Sequence, residues 1–153
     1  LNNNNYYLMN GGSRMKEITQ VLRENSMKVT PQRIAIYQML LQTKEHPSAE
    51  TIYKTLSPDH PAMSLATIYK TLDSFKSAGL VQELNVGGAS SRYDAVTAAH
   101  PHLICTCCGK VMDYKNDALS NLREKLPENI GFDIAFEQLL FYGICKDCKK
   151  QVQ

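Results

Sequence analysis

The sequence predicts an α+β chain in two parts, a helical unit closed by a β-hairpin over residues 15–96 and a small α/β unit over residues 97–153. Three observations predict it. Capped stretches with apolar residues at helical spacing fill the first part. Two short extended runs around Gly87-Gly88 close it. Two C-x-x-C pairs, Cys105 with Cys108 and Cys145 with Cys148, bracket the second part. With 153 residues and 43% hydrophobic content, the chain can bury a sizeable core.

Residues 1–14 are rich in Asn and Gly without periodicity and are expected to form a disordered arm. Met15, Ile18 and Leu22 then recur at helical spacing, with Val21 alongside, and predict a helix over 15–26. Thr30 suits an N-cap and Pro31 the first helical position. The helix they start is expected to reach about Gln42 and to bury Ile34, Tyr37, Leu40 and Leu41. His46-Pro47 is a loop, and Ser48 caps a short helix carrying Ile52, Tyr53 and Leu56 that Pro58 and Pro61 end. Ser64 caps the next helix, with Met63 and Ile68 spaced as a hydrophobic staple and Gly79 at its end. The runs Leu80–Val86 and Ser90–Val96 form the hairpin.

Helices with the last two close together, followed by a hairpin, make a winged helix-turn-helix, with Leu65–Ala78 as recognition helix. Its apolar stripe, Leu65, Ile68, Leu72 and Phe75, falls within about 80° of arc. Ala66, Thr67, Lys70, Asp73, Ser74 and Ser77 lie opposite, with Tyr69 on the flank. A small polar face with one cation and one aromatic can enter a major groove, where Thr and Tyr meet base edges or thymine methyls and Lys meets phosphate or guanine. An ordinary solvated helix face has the same composition. Arg14, Lys16, Arg23, Lys28 and Arg33, upstream of it, favour DNA modestly.

In the second part, His102–Thr106 and Lys110–Tyr114 read as strands, and Ala118–Leu126 as an amphipathic helix ended by Pro127 and Gly131. Phe132, Ile134 and Phe136 alternate as in a strand before the apolar run Leu139–Tyr142. An apolar edge of this kind is a candidate dimer surface.

The doubled C-x-x-C spacing carries the strongest chemistry. Two thiolates two residues apart on a tight turn face one ion, and two such turns complete the tetrahedral sulfur shell of a structural zinc. Gly109 follows the first pair, where the turn needs positive φ. The 36 residues from Gly109 to Ile144 leave room for a strand, a helix and a second strand between the pairs. Cys105, Cys108, Cys145 and Cys148 are therefore expected to hold Zn2+, with Cys107 left over. A redox pair is disfavoured because no thioredoxin-like βαβ pattern precedes either motif.

A second set of ligand types remains: His46, Asp94, His100, His102 and Asp113. His100 and His102 are two apart in an extended segment, so both imidazoles face one side. Imidazole with carboxylate suits Fe(II), Mn(II) or Zn better than Ca or Cu(I). Singly, His46 before Pro47 also reads as a loop residue, and Asp94 as a turn or capping residue.

The totals exclude several classes. No apolar run approaches the ~20 residues that cross a bilayer, and no signal-peptide pattern appears. A cytoplasmic chain with reduced thiols is expected, one without a membrane partner. A net charge of +2 says nothing about nucleic acid, so DNA binding rests on the helix motif. A zinc nucleobase deaminase would need H-x-E, which is absent, and four sulfur ligands leave no position for water. The remaining rival is a zinc-stapled interaction module without DNA binding.

The runs Val29-Thr30-Pro31-Gln32-Arg33, His46-Pro47-Ser48-Ala49-Glu50-Thr51-Ile52-Tyr53, Ser64-Leu65-Ala66-Thr67-Ile68-Tyr69, Ser91-Arg92-Tyr93-Asp94, His100-x-His102-x-x-Cys105 and Tyr142-Gly143-Ile144-Cys145 resemble the ferric uptake regulator (Fur) family. The resemblance covers about residues 15–150 in the family's order. It implies a metal-dependent repressor, not an enzyme, that binds a double-stranded DNA operator as a homodimer. It implies that the four paired cysteines hold structural zinc and that His46, Asp94, His100, His102 and Asp113 form the regulatory site for Fe2+ or Mn2+. Lys28 matches a minor-groove contact in the family.

Within the family, the three-His, two-Asp set is most similar to the peroxide-sensing branch. The iron-sensing branch usually has Glu at the positions of Asp94 and Asp113, and His-His-Asp-His where this chain has Ala99-His100-Pro101-His102. The resemblance implies oxidation at His46 or His100 once Fe(II) meets peroxide. One ion held by ligands from both parts would fix the angle between them and so set DNA affinity. The alternative is an uptake repressor that senses the level of iron, manganese or zinc alone.

Overall fold

The computed structural model describes residues 11–87, 90–115, 119, 122–127 and 130–151. Outside them lie the expected arm up to residue 10, Gly88 of the hairpin turn, and Ala118, Ser120 and Asn121 of the expected helix. The described chain divides into two compact units, residues 11–85 with 90–97 and residues 86–87 with 98–151.

The first unit contains four helices, α1 Gly11–Glu24, α2 Pro31–Gln42, α3 Ala49–Leu56 and α4 Leu65–Ser77. A two-stranded antiparallel ribbon follows, β1 Gln82–Leu84 with β2 Arg92–Asp94. Residues 11–14, expected in the arm, are helical. Ile18 and Leu22 are fully buried and anchor α1, and extending an anchored helix upstream needs no new nucleus. Three helices start on the expected caps. Thr30, Ser48 and Ser64 side chains accept from the backbone N–H of Arg33, Thr51 and Thr67 at 3.3, 3.2 and 3.1 Å. Gly79 ends α4 at φ +69°, a conformation that glycine adopts without a steric cost.

The core of this unit gathers Ile18, Leu22, Ile36, Tyr37, Leu40, Ile52, Ile68, Leu72 and Phe75. Tyr37 and Phe75 rings lie 5.3 Å apart at 55°, a tilted pair joining α2 to α4. In α2 the expected inward residue Ile34 is only partly buried, and Ile36 takes the core position. Ile36 and Leu40 stand four residues apart and share one face with Tyr37, which turns Ile34 to the rim. Met63 and Ile68 are both buried, as the staple requires. The N–H of Tyr93 in β2 donates to the carbonyl of Pro47 at 3.1 Å, tying the ribbon to the loop that carries His46.

The second unit is a three-stranded sheet in the order β4-β3-β5, with β3 Pro101–Cys105, β4 Val111–Asp113 and β5 Leu139–Gly143. β3 pairs antiparallel with β4 and parallel with β5. A short helix, α5 Lys146–Gln151, ends the described chain. Of the expected helix over Ala118–Leu126, the described residues show one 3-10 turn, Leu122–Lys125. The expected strand from Phe132 begins only at Leu139. Pro101 opposite Leu139 is the terminal pair of the ladder, so residues 132–138 run past the end of β3. Phe132 and Phe136 are consequently 76% exposed. Among the described residues no helix is long and apolar enough to cross a membrane.

Candidate metal centres and nucleic-acid face

β3 and β5 run parallel and end on Cys105 and Gly143, which brings the two knuckles to one end of the sheet. Each of Cys105, Cys108, Cys145 and Cys148 offers a sulfur within 4.8 Å of the others. Cys105 to Cys148 measures 3.9 Å and Cys108 to Cys145 3.8 Å between sulfurs. A regular tetrahedron of ~2.3 Å zinc–sulfur bonds has edges of about 3.8 Å, so zinc fits this set with little movement. All five cysteines are unbridged, and Cys107, beside the cluster, is exposed.

The first knuckle is built by the backbone. Gly109 sits at φ +69° and its N–H donates to the carbonyl of Cys105 at 2.9 Å. The N–H of Cys145 donates to Cys105 Sγ at 3.3 Å. Backbone N–H groups of Cys108 and Cys145 aimed at this sulfur hold the Cys105 thiol down at about 6. Sharing of protons with the Cys145 and Cys108 thiols pushes Cys148 up instead. A bound zinc would take all four as thiolates, and the N–H donors already in place stabilise that charge.

The other ligand set is distributed over the two units. In the first, His46 is 3% exposed and adopts φ +48° immediately before Pro47. That left-handed backbone costs a non-glycine residue about 1 kcal/mol, and such outliers concentrate at functional sites. His46 Nε2 lies 3.7 Å from Asp94 Oδ2, at the end of β2. Oδ1 of Asp94 accepts from the Val96 N–H at 2.8 Å, and Oδ2 accepts from Gln82 Nε2 at 3.0 Å.

In the second unit, the His100 and His102 rings lie side by side, with centroids 4.3 Å apart and planes tilted by 49°. His102 on β3 pairs directly with Asp113 at the end of β4. Asp113 Oδ1 lies 3.2 Å from His100 Nε2 and 3.7 Å from His102 Nε2. His100 Nδ1 is 2.8 Å from the carbonyl of Ala98, which leaves Nε2 as its ligand atom. Two imidazole nitrogens and a carboxylate oxygen within bonding reach of one point form a donor set suited to Fe(II), Mn(II) or Zn.

On α4, Ala66, Tyr69, Lys70 and Asp73 are exposed, whereas Thr67 is half-buried with its hydroxyl 2.9 Å from Ser64 Oγ. Tyr69 OH donates to Glu50 Oε1 on α3 at 2.6 Å. That bond holds the Glu50 carboxyl below its usual range and raises the Tyr69 phenol. Lys76 pairs with Glu83 at 2.7 Å and Asp73 at 3.5 Å, whereas Lys70 is exposed and has no ion-pair partner among the described residues. Lys28 is exposed, and its carbonyl accepts from Arg33 Nη1 at 3.0 Å. Glu50 and Gln82 were not singled out by the sequence, because each meets its partner 19 or 12 residues away and no local pattern marks such pairs.

Residues 24–142 match the ferric uptake regulator family. The chain is 49% identical over 135 residues to the Transcriptional regulator PerR of Clostridium acetobutylicum, covering 88% of this chain and 98% of that relative. It is 41% identical to the Peroxide operon regulator of Bacillus subtilis, over 90% of this chain and 94% of that one. Its fold is similar to the manganese-containing ferric uptake regulator of Pseudomonas aeruginosa, with a TM-score of 0.71 at 30% identity over 84% of this chain and 98% of the other.

Proposed function

This chain belongs to the ferric uptake regulator family, and from that premise we propose that it is a metal-dependent transcriptional repressor that senses peroxide through iron-catalysed oxidation of a histidine ligand. It works in the cytoplasm as a regulator and not an enzyme, and binds a double-stranded DNA operator as a homodimer. α2 to α4 with the β1–β2 ribbon act as the winged helix-turn-helix, and α4 is the recognition helix.

The observation that carries the reading is the convergence of His100, His102 and Asp113 on one point. The Ala98 carbonyl beside His100 Nδ1 is the kind of partner that orients a ligating imidazole through its other nitrogen. His46 and Asp94 supply the remaining ligands. With His46 and Asp94 on the first unit and three ligands on the second, one ion fixes the angle between the units, and the angle sets how two recognition helices meet two half-sites. The four cysteines hold the structural zinc. The exposed Phe141, Tyr142 and Ile144, with Phe132 and Phe136 upstream, supply the apolar surface that a second copy covers.

Fe(II) held by these residues would catalyse the oxidation, in which peroxide is the oxidant and the imidazole the reductant: one peroxide oxygen enters a ring C–H bond and the other leaves as water. The family resemblance assigns this oxidation to His46 or His100. An oxidised imidazole is a poor donor, so the ligand set loosens and repression is lifted. The relatives named for peroxide regulation support this branch, as do aspartates at 94 and 113. The donor set accepts Mn(II) equally, so a repressor sensing metal level alone is the second reading.

His46→Ala tests the bridging role, because His46 comes from the DNA-binding unit. Gel shifts with Mn(II) should show metal-responsive binding in the wild type and its loss in the variant, with zinc content and dimer unchanged. Full metal-responsive binding in the variant would contradict the bridge.

A further inference from the structure

Gln82 and Asp94 are directly opposed across the β1–β2 ribbon. Gln82 Nε2 donates to Asp94 Oδ2 at 3.0 Å and to the carbonyl of Val96 at 2.7 Å. Both neighbours are acceptors, so the amide must present its NH2 end and both of its N–H groups are used. Asp94 Oδ1 meanwhile accepts the Val96 N–H at 2.8 Å. Each carboxylate oxygen of Asp94 therefore has its own donor, and rotation of the group is blocked from both sides. Asp94 is also buried, with a residue exposure of 8%, so water does not replace these donors freely.

We propose that Gln82 is a positioning residue for Asp94, fixing the carboxylate so that it meets a divalent ion through Oδ2 alone. This rests on the reading of Asp94 as a ligand. Oδ2 is the oxygen that faces His46, at 3.7 Å from Nε2. Gripping both oxygens by an ion would require turning Oδ1 away from Val96, and the Gln82 bond opposes that turn. Single-oxygen binding leaves one more position on the ion for water or peroxide. Glutamine suits this task because it donates without carrying a charge. A lysine or arginine in its place would orient the carboxylate but also repel the metal.

Gln82→Met keeps the length of the side chain and removes its donors. The test uses the full, zinc-loaded chain, with Mn(II) titration for affinity and the visible spectrum of added Co(II) for coordination. Removing a group that orients a metal ligand typically costs 10–100-fold in affinity. A loss of about 10-fold or more in Mn(II) affinity is expected, with a changed Co(II) spectrum at saturation and unchanged zinc content and melting temperature. Gln82→Ala serves as the second variant and is read in the same way if the Met variant fails to fold. Wild-type affinity and spectrum in the folded variant would reduce Gln82 to a strand-packing residue. Asp94→Ala separates the two layers of the argument. If it too binds Mn(II) like the wild type, the ligand assignment itself falls, whereas loss of binding in Asp94→Ala alone overturns only the role of Gln82.

Discussion

Asp113 Oδ1 stands 3.2 Å from His100 Nε2, close enough for one carboxylate oxygen to define where an ion beside that imidazole must sit. Asp113→Glu keeps the charge but displaces the carboxylate by about one bond length, whereas metal sites hold ligand distances to ~0.2 Å. Mn(II)-dependent DNA binding should persist in this variant. Oxidation should fall, because the position offered to peroxide changes. Mass spectrometry of the peptides holding His46 and His100, after Fe(II) and low peroxide, should find one added oxygen in the wild type and much less in Asp113→Glu. Equal oxidation in both would show that the aspartate does not tune the reaction.

Cys145→Ser should release the zinc and unfold the second unit. The β3–β5 ends are joined through Cys105 and Cys145, and the β5 ladder extends over only Leu139–Gly143. A structural zinc contributes roughly 10–16 kcal/mol to small metal-folded units, far more than so short a ladder supplies. Loss of zinc by elemental analysis should accompany loss of the dimer in size-exclusion chromatography. A zinc-free variant that stays a folded dimer would remove the structural role.

Lys70→Ala should weaken operator binding and lower the salt slope by about one if Lys70 meets a phosphate. Tyr69→Ala should weaken binding as well. Its phenol is held by Glu50, so the ring is oriented before DNA arrives and little rotamer entropy remains to be lost. Lys28→Ala should behave like Lys70→Ala. Fluorescence anisotropy with the Mn(II)-loaded protein is the measurement, and unchanged affinity in both helix variants would place the recognition surface elsewhere.

Helix starts were legible because caps act over three residues: Thr30, Ser48 and Ser64 each bond a backbone N–H within one turn. The cysteine pairs were legible for the same reason, since a knuckle is a local turn around Gly109. Strand pairing was less so. The alternation of Phe132, Ile134 and Phe136 describes a strand, but a strand needs a neighbour, and β3 begins only at Pro101, opposite Leu139. Ile36 escaped notice because several apolar residues crowd α2 and the sequence does not say which face meets Phe75. Gln82 escaped because its meaning depends on β-register, which sets it opposite Asp94. Ligand types could be read from composition and spacing, whereas the groups that aim the ligands came only with the fold.

The most direct test of the peroxide-sensing account is operator affinity of the wild-type dimer loaded with Fe(II) or with Mn(II), before and after brief hydrogen peroxide. Both forms should bind before treatment. The Fe(II) form should then lose operator binding in step with oxygen addition at His46 or His100, while the Mn(II) form, which supports this chemistry poorly, should keep it. An Fe(II) form that keeps its DNA affinity and its unmodified histidines after peroxide would contradict the account and leave a repressor that reads metal level alone.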